Sequence, residues 1–488
     1  MLTKDVQTKR DTPQIVSIEE LVPTNHILRK VDRYIDFSFI YDLVEPLYSA
    51  DIGRPSLDPV ILFKLVLMQY LLGLGSMRRT VKATQTDVAC RWFLGLDFFD
   101  PVPHFGTFSK NYKRRFEGTS LFEQIFDQIL RQCFEQDLVE TSTVFVDATH
   151  VKAHANRNKR EKQLVKREVL AVEIQLQEEI NQERAKYGKK PFDYDSEGDE
   201  NKEPSEDSAT EVKEMTLSPN DPDCGMFFKG QHQRNFAYNI QTAVDAHGWI
   251  LGYHVARGNE NDSRSFYGLY EKIKRFDIDE MVMDAGYKTP LLMHFLVQEG
   301  IVPILPYSRP KTRKENREMY RPQDFVYDEA FHCVLCPMDQ VLPYTTTNRH
   351  GYREYTSDPE ICIQCPELTR CTRSKNHQKK SLVHIYYDTI EYCKDIEHNL
   401  TFRELYRQRK YTVERSFAQA KECHGFRFTQ MVGHQAMEMK TAMTYSAMNI
   451  KKLVNILDKR EKSGRYSLLK KWILTFFSSF FISNPIYA

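Results

Sequence analysis

The sequence predicts a mixed α/β protein with an all-helical N-terminal domain, a central sheet and an inserted cysteine-rich module. Three observations indicate this class. Residues 56–116 hold long apolar runs without strand punctuation. From Thr143 onward, short apolar runs alternate with helical patterns, and residues 307–399 hold closely spaced cysteines. At 488 residues, the chain is long enough for about three domains.

The charge balance argues against a protein that coats nucleic acid nonspecifically. The chain has 68 Lys and Arg against 67 Asp and Glu, so any affinity for DNA must come from local patches. Met1 to Pro13 is polar and charged, which predicts no signal peptide and a reducing, cytoplasmic location. The ten cysteines are therefore expected to be metal ligands or buried thiols.

The N-terminal region is predicted to contain a helix, a glycine turn and a basic helix. The helix begins near Pro59, Gly73 and Gly75 end it, and Ser76 caps the next helix. Such an arrangement suits docking on a DNA duplex, where Lys and Arg neutralise phosphates, although a solvated basic face explains it equally well. The basic residues form two clusters: Arg78, Arg79 and Lys82, then Lys110, Lys113, Arg114 and Arg115.

The following region is predicted to form the central sheet. In order, it reads as strand 143–151, strand 236–245, strand 249–256, helix 263–276, strand 280–284, helix 289–299 and strand 301–305. Three strands, then helix, strand, helix and strand, is the order expected of an RNase H-like sheet. The first and fourth strands of such a sheet are neighbours, which would bring Asp147 and Asp284 together.

Two insertions interrupt this predicted core. Residues 157–190 are charged and read as helical, and residues 193–214 hold ten acidic and two basic residues, which predicts a disordered linker. The second insertion contains two CxxC pairs and a fifth cysteine, namely Cys333, Cys336, Cys362, Cys365 and Cys371. This spacing predicts a structural zinc ion held by thiolates, with the choice of four ligands open and buried reduced thiols as the alternative.

Three acidic residues stand where a two-metal phosphodiester-cutting site would need them. Asp147 and Asp284 each close an apolar run, and Glu414 lies in a charged helical stretch. Two Mg²⁺ or Mn²⁺ ions held by such carboxylates can activate the attacking oxygen and stabilise the leaving oxygen. Asp245 and Asp262 are interpreted as structural, Asp262 as a helix cap.

The apolar C-terminal segment Trp472 to Ile482 is too short for a membrane span. It has 11 residues, against about 20 for a span, which favours packing on the protein.

The segments Val144-Phe145-Val146-Asp147-Ala148-Thr149-His150 and Met283-Asp284-Ala285-Gly286-Tyr287, with the stretch around Glu414, resemble the DDE transposases of bacterial insertion sequences. The branch with the signature Tyr-x2-Arg-x3-Glu-x6-Lys is the most similar. Here Tyr406-x2-Arg409 is followed by four residues before Glu414 and six more before Lys421. The segment Gly53-Arg54-Pro55-Ser56-Leu57-Asp58-Pro59 also resembles the N-terminal domain of one insertion-sequence group, so the likeness covers about residues 15–455.

The resemblance implies an enzyme that binds the terminal inverted repeats of a mobile element, cleaves the DNA and joins the 3′-OH ends to target DNA. It implies that Asp147, Asp284 and Glu414 hold the metal ions, and that Tyr406, Arg409 and Lys421 contact DNA. A homodimer that pairs two ends in a nucleoid-associated complex is expected, with no membrane partner. Two rival functions are an inactive regulatory DNA-binding protein and an RNase H-like nuclease without strand transfer.

The predicted domain boundaries follow from these segments. They are a helical DNA-binding domain at 1–135, the first part of the catalytic core at 140–306 with a charged insertion at 157–225, the cysteine-rich insertion at 307–399, the core helix region at 400–457 and a C-terminal tail at 458–488.

Overall fold

The N-terminal third of the chain is helical, as its apolar runs predict. The structure, a computed structural model, describes residues 12–49, 56–194, 210–229, 233–307 and 318–482. The helices here are α1 (Ile18–Leu21), α2 (Ile27–Tyr34), α3 (Phe39–Val44), α4 (Pro59–Leu71), α5 (Met77–Thr86), α6 (Val88–Phe93), α7 (Gly106–Asn111) and α8 (Leu121–Phe134).

The boundaries of α4 and α5 follow from their capping residues. The Asp58 carboxylate accepts a hydrogen bond from the Val60 amide at 2.7 Å, and Pro59 occupies the first turn of α4. Gly73 follows α4 with a φ of +66°, which glycine adopts without strain. The Ser76 hydroxyl accepts from the Arg79 amide at 3.3 Å and begins α5, so the predicted helix, turn and basic helix are confirmed.

The central sheet has six strands in two sets around its first strand. The strands and intervening helices are β1 (Thr143–Lys152), β2 (Glu161–Glu168), α9 (Ala171–Lys186), β3 (Thr210–Leu217), β4 (Gly225–Lys229), β5 (Gln233–Asp245), β6 (Ile250–Arg257), α10 (Asp262–Ile273), β7 (Glu280–Val282), α11 (Pro290–Gln298) and β8 (Val302–Ile304). Strand β1 pairs antiparallel with the long strand β5 on one side and parallel with the short strand β7 on the other. The strand order is β4-β5-β1-β7-β8, with β6 also paired to β5.

The predicted helix over residues 157–190 is wrong at its beginning. Residues 161–168 form β2, which pairs antiparallel with β3, and the helix α9 begins only at Ala171. Backbone pairing with a partner distant in the sequence overrides local helix propensity here. Most of the predicted linker at 193–214 lies outside the described residues, and its end from Thr210 belongs to β3.

The cysteine-rich segment forms a sheet of its own. Its strands follow the order β13-β12-β11-β10-β9 and enclose a small apolar cluster that includes Val334, Leu342 and Tyr355. Its elements are β9 (Val326–Asp328), β10 (Cys333–Leu335), β11 (Val341–Thr347), β12 (Tyr352–Thr356), α12 (Pro359–Ile363), α13 (Leu368–Cys371) and β13 (Lys380–His384).

The last helices join the N-terminal region to the sheet. They are α14 (Tyr387–His398), α15 (Leu400–Arg407), α16 (Val413–Cys423) and α17 (His434–Ile482). Helix α17 contacts α2, α4 and α8 as well as β6, and one continuous apolar core includes side chains from all of these elements. The predicted tail at 458–488 continues α17 as far as Ile482. Nowhere in the described ranges is a helix both long and apolar enough to cross a membrane.

Candidate active site

The strand register brings Asp147 and Asp284 to the same edge of the sheet. Strands β1 and β7 are parallel, and Thr143 pairs with Glu280 and Phe145 with Val282. Asp147 lies two residues after Phe145 and Asp284 two residues after Val282, so the two aspartates follow the last paired position at the same distance on each strand. The predicted adjacency of the first and fourth strands of the central sheet is therefore observed.

Asp147 lies in an electrostatic environment that disfavours its charge. Burial raises the pKa of its carboxyl to about 6, Arg409 opposes this rise, and the negative charges of Asp284 and Asp262 add to it. The Arg409 guanidinium forms an ion pair with Asp147, with Nη2 2.8 Å from Oδ2. Arg409 is only 5% exposed and also donates to the Tyr406 hydroxyl at 3.1 Å. In this structure the Arg409 side chain is buried against Asp147 and Tyr406, and Tyr406 is half-buried. The predicted contact of Tyr406 and Arg409 with DNA stays a prediction.

Asp284 begins the tight turn that follows β7. Its Oδ1 accepts from the Gly286 amide at 2.7 Å. A Cβ added at Gly286 would stand 3.0 Å from Oδ1 of Asp284 and 3.2 Å from Oδ2 of Asp262, so both carboxylates flank this glycine. A side chain at residue 286 would therefore crowd the acidic site.

Asp262 belongs to the same acidic cluster, which the sequence interpretation missed. The expected helix cap is wrong, because Asn261 holds the cap position of α10 and Asp262 lies inside the first turn. The Oδ1 atom of Asp262 accepts from Asn239 Nδ2 at 2.8 Å and Gln241 Nε2 at 3.1 Å. Gln241 in turn accepts from the Tyr287 hydroxyl. The signal available in the sequence was the pair of amide residues Asn239 and Gln241, which lie two apart and so share one face of β5.

Glu414 is placed apart from the buried part of this cluster. It is exposed in the first turn of α16, where a negative charge is favourable, while Val413 and Phe417 pack the helix against the core. Helix α16 packs on β1, the strand that carries Asp147. Lys421 is seven positions after Glu414 and so lies on the same side of α16.

The donor chemistry of the cluster suits a hard divalent cation. Carboxylate oxygens are the ligands that Mg²⁺ and Mn²⁺ prefer, and a cation would offset the repulsion among Asp147, Asp284 and Asp262. Throughout the described ranges, no group of three or more His, Cys, Asp or Glu side chains is arranged to hold a metal ion as it stands. Asp147 and Asp284 therefore fit as part of a ligand set that other groups would complete.

The contacts of Asp245 and His150 are typical of structural residues. Asp245 is fully buried and accepts from the amides of His247 and Trp249, as expected for a structural turn residue. The His150 ring stacks on Phe227 at 3.5 Å between ring centroids.

Two of the N-terminal basic residues line one large cleft. Arg79 and Lys113 line a cavity of about 940 Å³ between α5, the turn after α7 and residues 428–440. Arg78 stacks on Phe105 and Arg115 on Tyr48, while Arg114 is exposed. The structure thus brings Arg79 and Lys113 together, and it gives Arg78 and Arg115 aromatic partners.

A second cleft, of about 480 Å³, adjoins α16 and was not foreseen. Its wall carries four cationic side chains, one from α16 and three from α17. Lys452 already contacts the His247 carbonyl and the Trp249 ring, which leaves Arg415 and Lys459 as the more accessible charges. The four are Arg415, Lys451, Lys452 and Lys459.

The five cysteines of the inserted module do not share one location. Cys336, Cys362, Cys365 and Cys371 line the same small cavity, whereas Cys333 does not. Burial raises the pKa of the Cys371 thiol, and the charges of the other three cysteines in the cavity act in the same direction. Among the other five cysteines, Cys90, Cys133, Cys224 and Cys393 are buried thiols, and Cys423 is exposed.

Two family models match the chain. Residues 16–114 match the family described as "Transposase domain (DUF772)", and residues 335–454 match the family described as "Transposase DDE domain". Together these matches support a DDE-type transposase of an insertion-sequence family. The second match contains Glu414 and Lys421, while Asp147 and Asp284 lie between the two matches.

Comparisons with curated proteins and with solved structures give no further support for the family. No curated protein matches the chain. A cryo-EM structure of a piggyBac transposase synaptic complex with hairpin DNA aligns with 95% of this chain and 80% of its own, at 9% identity and a TM-score of 0.30. That score is too low to show a shared fold.

Proposed function

We propose that this transposase binds the terminal inverted repeats of its mobile element, hydrolyses the DNA there and joins the freed 3′-OH to target DNA. The observation that carries the proposal is the parallel pairing of β1 and β7, which brings Asp147 and Asp284 close enough for their charges to interact. The raised pKa of Asp147 supports a functional site, since perturbed carboxyl groups cluster where cations or substrates bind.

The strand order supports an RNase H-like catalytic core. Three antiparallel strands are followed by two parallel ones, with β1 between β5 and β7. In this arrangement helix α16, which packs on β1, would present Glu414 as the third acid.

Each acidic residue has a proposed role. Asp147 and Asp284 would hold Mg²⁺ or Mn²⁺, and Glu414 would complete the ligand set. Two bound ions would activate the attacking oxygen and stabilise the leaving oxygen of the scissile phosphate. Asp262 would act as a positioning residue, because its hydrogen bonds from Asn239 and Gln241 fix its carboxylate beside Asp284.

Duplex DNA is the proposed partner, because cationic side chains line two clefts of the molecule. Arg79 and Lys113 in the first cleft, and Arg415 and Lys459 in the second, would neutralise backbone phosphates. Lys421 would hold phosphates nearer the scissile bond, on the same side of α16 as Glu414. Joining two element ends calls for two active sites, so a homodimer is the proposed active form, working at the nucleoid in the cytoplasm.

A cleavage assay on a duplex that carries the element's own end tests this function. We expect Mg²⁺-dependent cleavage by the intact chain and loss of at least about 100-fold in Asp147→Asn, Asp284→Asn and Glu414→Gln, with end binding retained. Asp262→Asn should keep its amide partners in reach and reduce cleavage less, by about 10-fold. Asp245→Asn is unsuitable as a control because Asp245 is buried, so the exposed Asp137→Asn serves instead.

The same assay separates the rival functions. Cleavage without joining of the 3′-OH to a target plasmid would favour a nuclease that lacks strand transfer. Binding without cleavage by the intact chain would favour a regulatory protein. Cleavage that survives in all three acidic variants would contradict the assignment of the metal ligands.

A further inference from the structure

We propose that Cys336, Cys362, Cys365 and Cys371 bind one structural zinc ion and that Cys333 takes no part. This site lies in the inserted module and does not depend on the proposed DNA chemistry. Its four thiols come from two separate stretches of the chain, so a bound ion would tie the turn after β10 to the α12–α13 segment.

The four thiols converge on one enclosed space. They line a cavity of about 30 Å³, whose wall also includes Leu342, Leu368 and the stem of Lys379. Cys336 comes from the β10–β11 turn, Cys362 from α12, Cys365 from the turn after it and Cys371 from the end of α13. A cavity of this size, lined by thiols and apolar groups, suits a single ion with a closed shell of protein ligands.

The turn around Cys336 directs two backbone N–H groups at its sulfur. The amides of Met338 and Gln340 both donate to Cys336 Sγ, each at 3.4 Å. Asp339 between them has a φ of +55°, the left-handed conformation that lets the backbone curl around the sulfur. These N–H groups fix the position of the sulfur, as the outer partners of a metal ligand do.

The position of Cys333 excludes it from the ligand set, although the CxxC spacing suggests otherwise. Cys333 begins β10, where side chains alternate between the two faces of the sheet. Val334 and Cys336 pack on the apolar cluster of the module. Cys333, an odd number of positions from both, is directed to the opposite face and does not line the cavity.

Four thiolates leave no open coordination position, so the ion would be structural rather than catalytic. The sulfurs as placed share the cavity without forming a closed cage, consistent with the absence of a preformed metal group among the described residues. Binding would release the thiol protons and draw the sulfurs to about 2.3 Å from the ion. The module has only a small apolar cluster, and the ion would therefore add stability that its core lacks.

The zinc content of the purified full chain tests this site. We expect about one zinc ion per chain by elemental analysis in the intact protein and in Cys333→Ser. Cys336→Ser, Cys362→Ser, Cys365→Ser and Cys371→Ser should each lower the zinc content at least about 10-fold after dialysis against a mild chelator. Cys333→Ser is the matched control, because it removes a neighbouring thiol of the same module.

A second measurement guards against variants that fail to fold. Cobalt added to the metal-free chain should give the visible and thiolate charge-transfer absorption of a tetrahedral four-sulfur site, in the intact chain and in Cys333→Ser alike. Cys371→His should keep metal where Cys371→Ser loses it, since imidazole is also a zinc ligand. Absence of zinc and of the cobalt spectrum in the intact chain would overturn the proposal, as would loss of metal in Cys333→Ser.

Discussion

At the scale of single residues, the ion pair between Arg409 and Asp147 determines the state of the acidic cluster. The pair is largely removed from solvent, with side-chain exposures of 6% for Arg409 and 17% for Asp147. The guanidinium thus supplies the positive charge that Asp147 needs beside two other aspartates. A divalent cation at Asp147 would compete with Arg409 for the same carboxylate.

Removal of Arg409 is expected to leave a buried charge without a partner. Arg409→Met should lower the free energy of unfolding by about 3 kcal/mol in urea, because breaking a buried pair strands the remaining charge. The double variant Arg409→Met/Asp147→Asn should regain most of this loss. The exposed pair of Arg131 and Glu135 offers a control, and Arg131→Met should cost no more than about 0.5 kcal/mol. Equal losses in the single and double Arg409 variants would argue against the pair as the cause.

The sequence predicts part of this acidic cluster and misses the rest. Asp147 and Asp284 could be predicted because each ends an apolar strand, and strand order then implies their adjacency. Asp262 could not, since its contacts with Asn239 and Gln241 join α10 to β5 through side chains that no local pattern relates. The buried ion pair of Arg409 with Asp147 could not be predicted either, because a charged helical stretch does not indicate which of its charges is buried.

At the scale of elements, the end of α16 is fixed against the end of α4. A Cβ at Gly73 would stand 2.5 Å from the Cys423 carbonyl oxygen, so only glycine permits this approach. Next to it, the buried His424 ring donates from Nδ1 to the Tyr70 carbonyl oxygen at 2.8 Å. This contact anchors the helix that carries Glu414 on the N-terminal region.

The His424 contact predicts an acid-sensitive joint. Burial lowers the pKa of His424 from 6.5 to about 4, so between these values the unfolded chain takes up a proton that the folded chain refuses. The free energy of unfolding therefore falls as the pH drops through this window, by about 3 kcal/mol from this residue. His424→Phe should remove that part of the pH dependence in urea titrations at pH 7 and pH 4.5.

The matched control for this joint is the exposed His154. His154→Phe should leave the difference between the two pH values unchanged. The slope that remains in His424→Phe is expected from His254 and His384, whose pKa values burial also lowers to about 4. An unchanged slope in His424→Phe would show that the ring is not held neutral in the folded protein.

At the scale of the whole molecule, α17 joins the N-terminal helices and the central sheet into one core. It contacts α2, α4 and α8 on one side and β6 on the other. The Tyr445 hydroxyl lies 2.7 Å from Thr242 Oγ1, and Asn449 exchanges hydrogen bonds with the backbone of Ile250. The N-terminal helices, which carry the basic residues, and the sheet, which carries the acidic cluster, thus share one core.

This shared core predicts that the N-terminal helices and the sheet unfold together. Trp92 lies in α6 and Trp249 at the start of the β6 region, so each reports on one of the two parts. With Trp472 replaced by Phe, variants that keep only Trp92 or only Trp249 should show the same urea midpoint by fluorescence. Separate midpoints would mean that the helical region is an independent domain.

Local periodicity and short motifs encode the α/β class, most strand and helix positions, the resemblance to transposases and the adjacency of Asp147 and Asp284, so these could be predicted from the sequence. Four other features emerged only from the fold: residues 161–168 pair with 210–217 as strands, Asp262 joins the acidic cluster, Arg409 turns inward, and Cys333 does not line the cavity that the other four cysteines share. Each of these depends on partners distant in the chain or on the face of an element, and neither is specified by residue spacing alone.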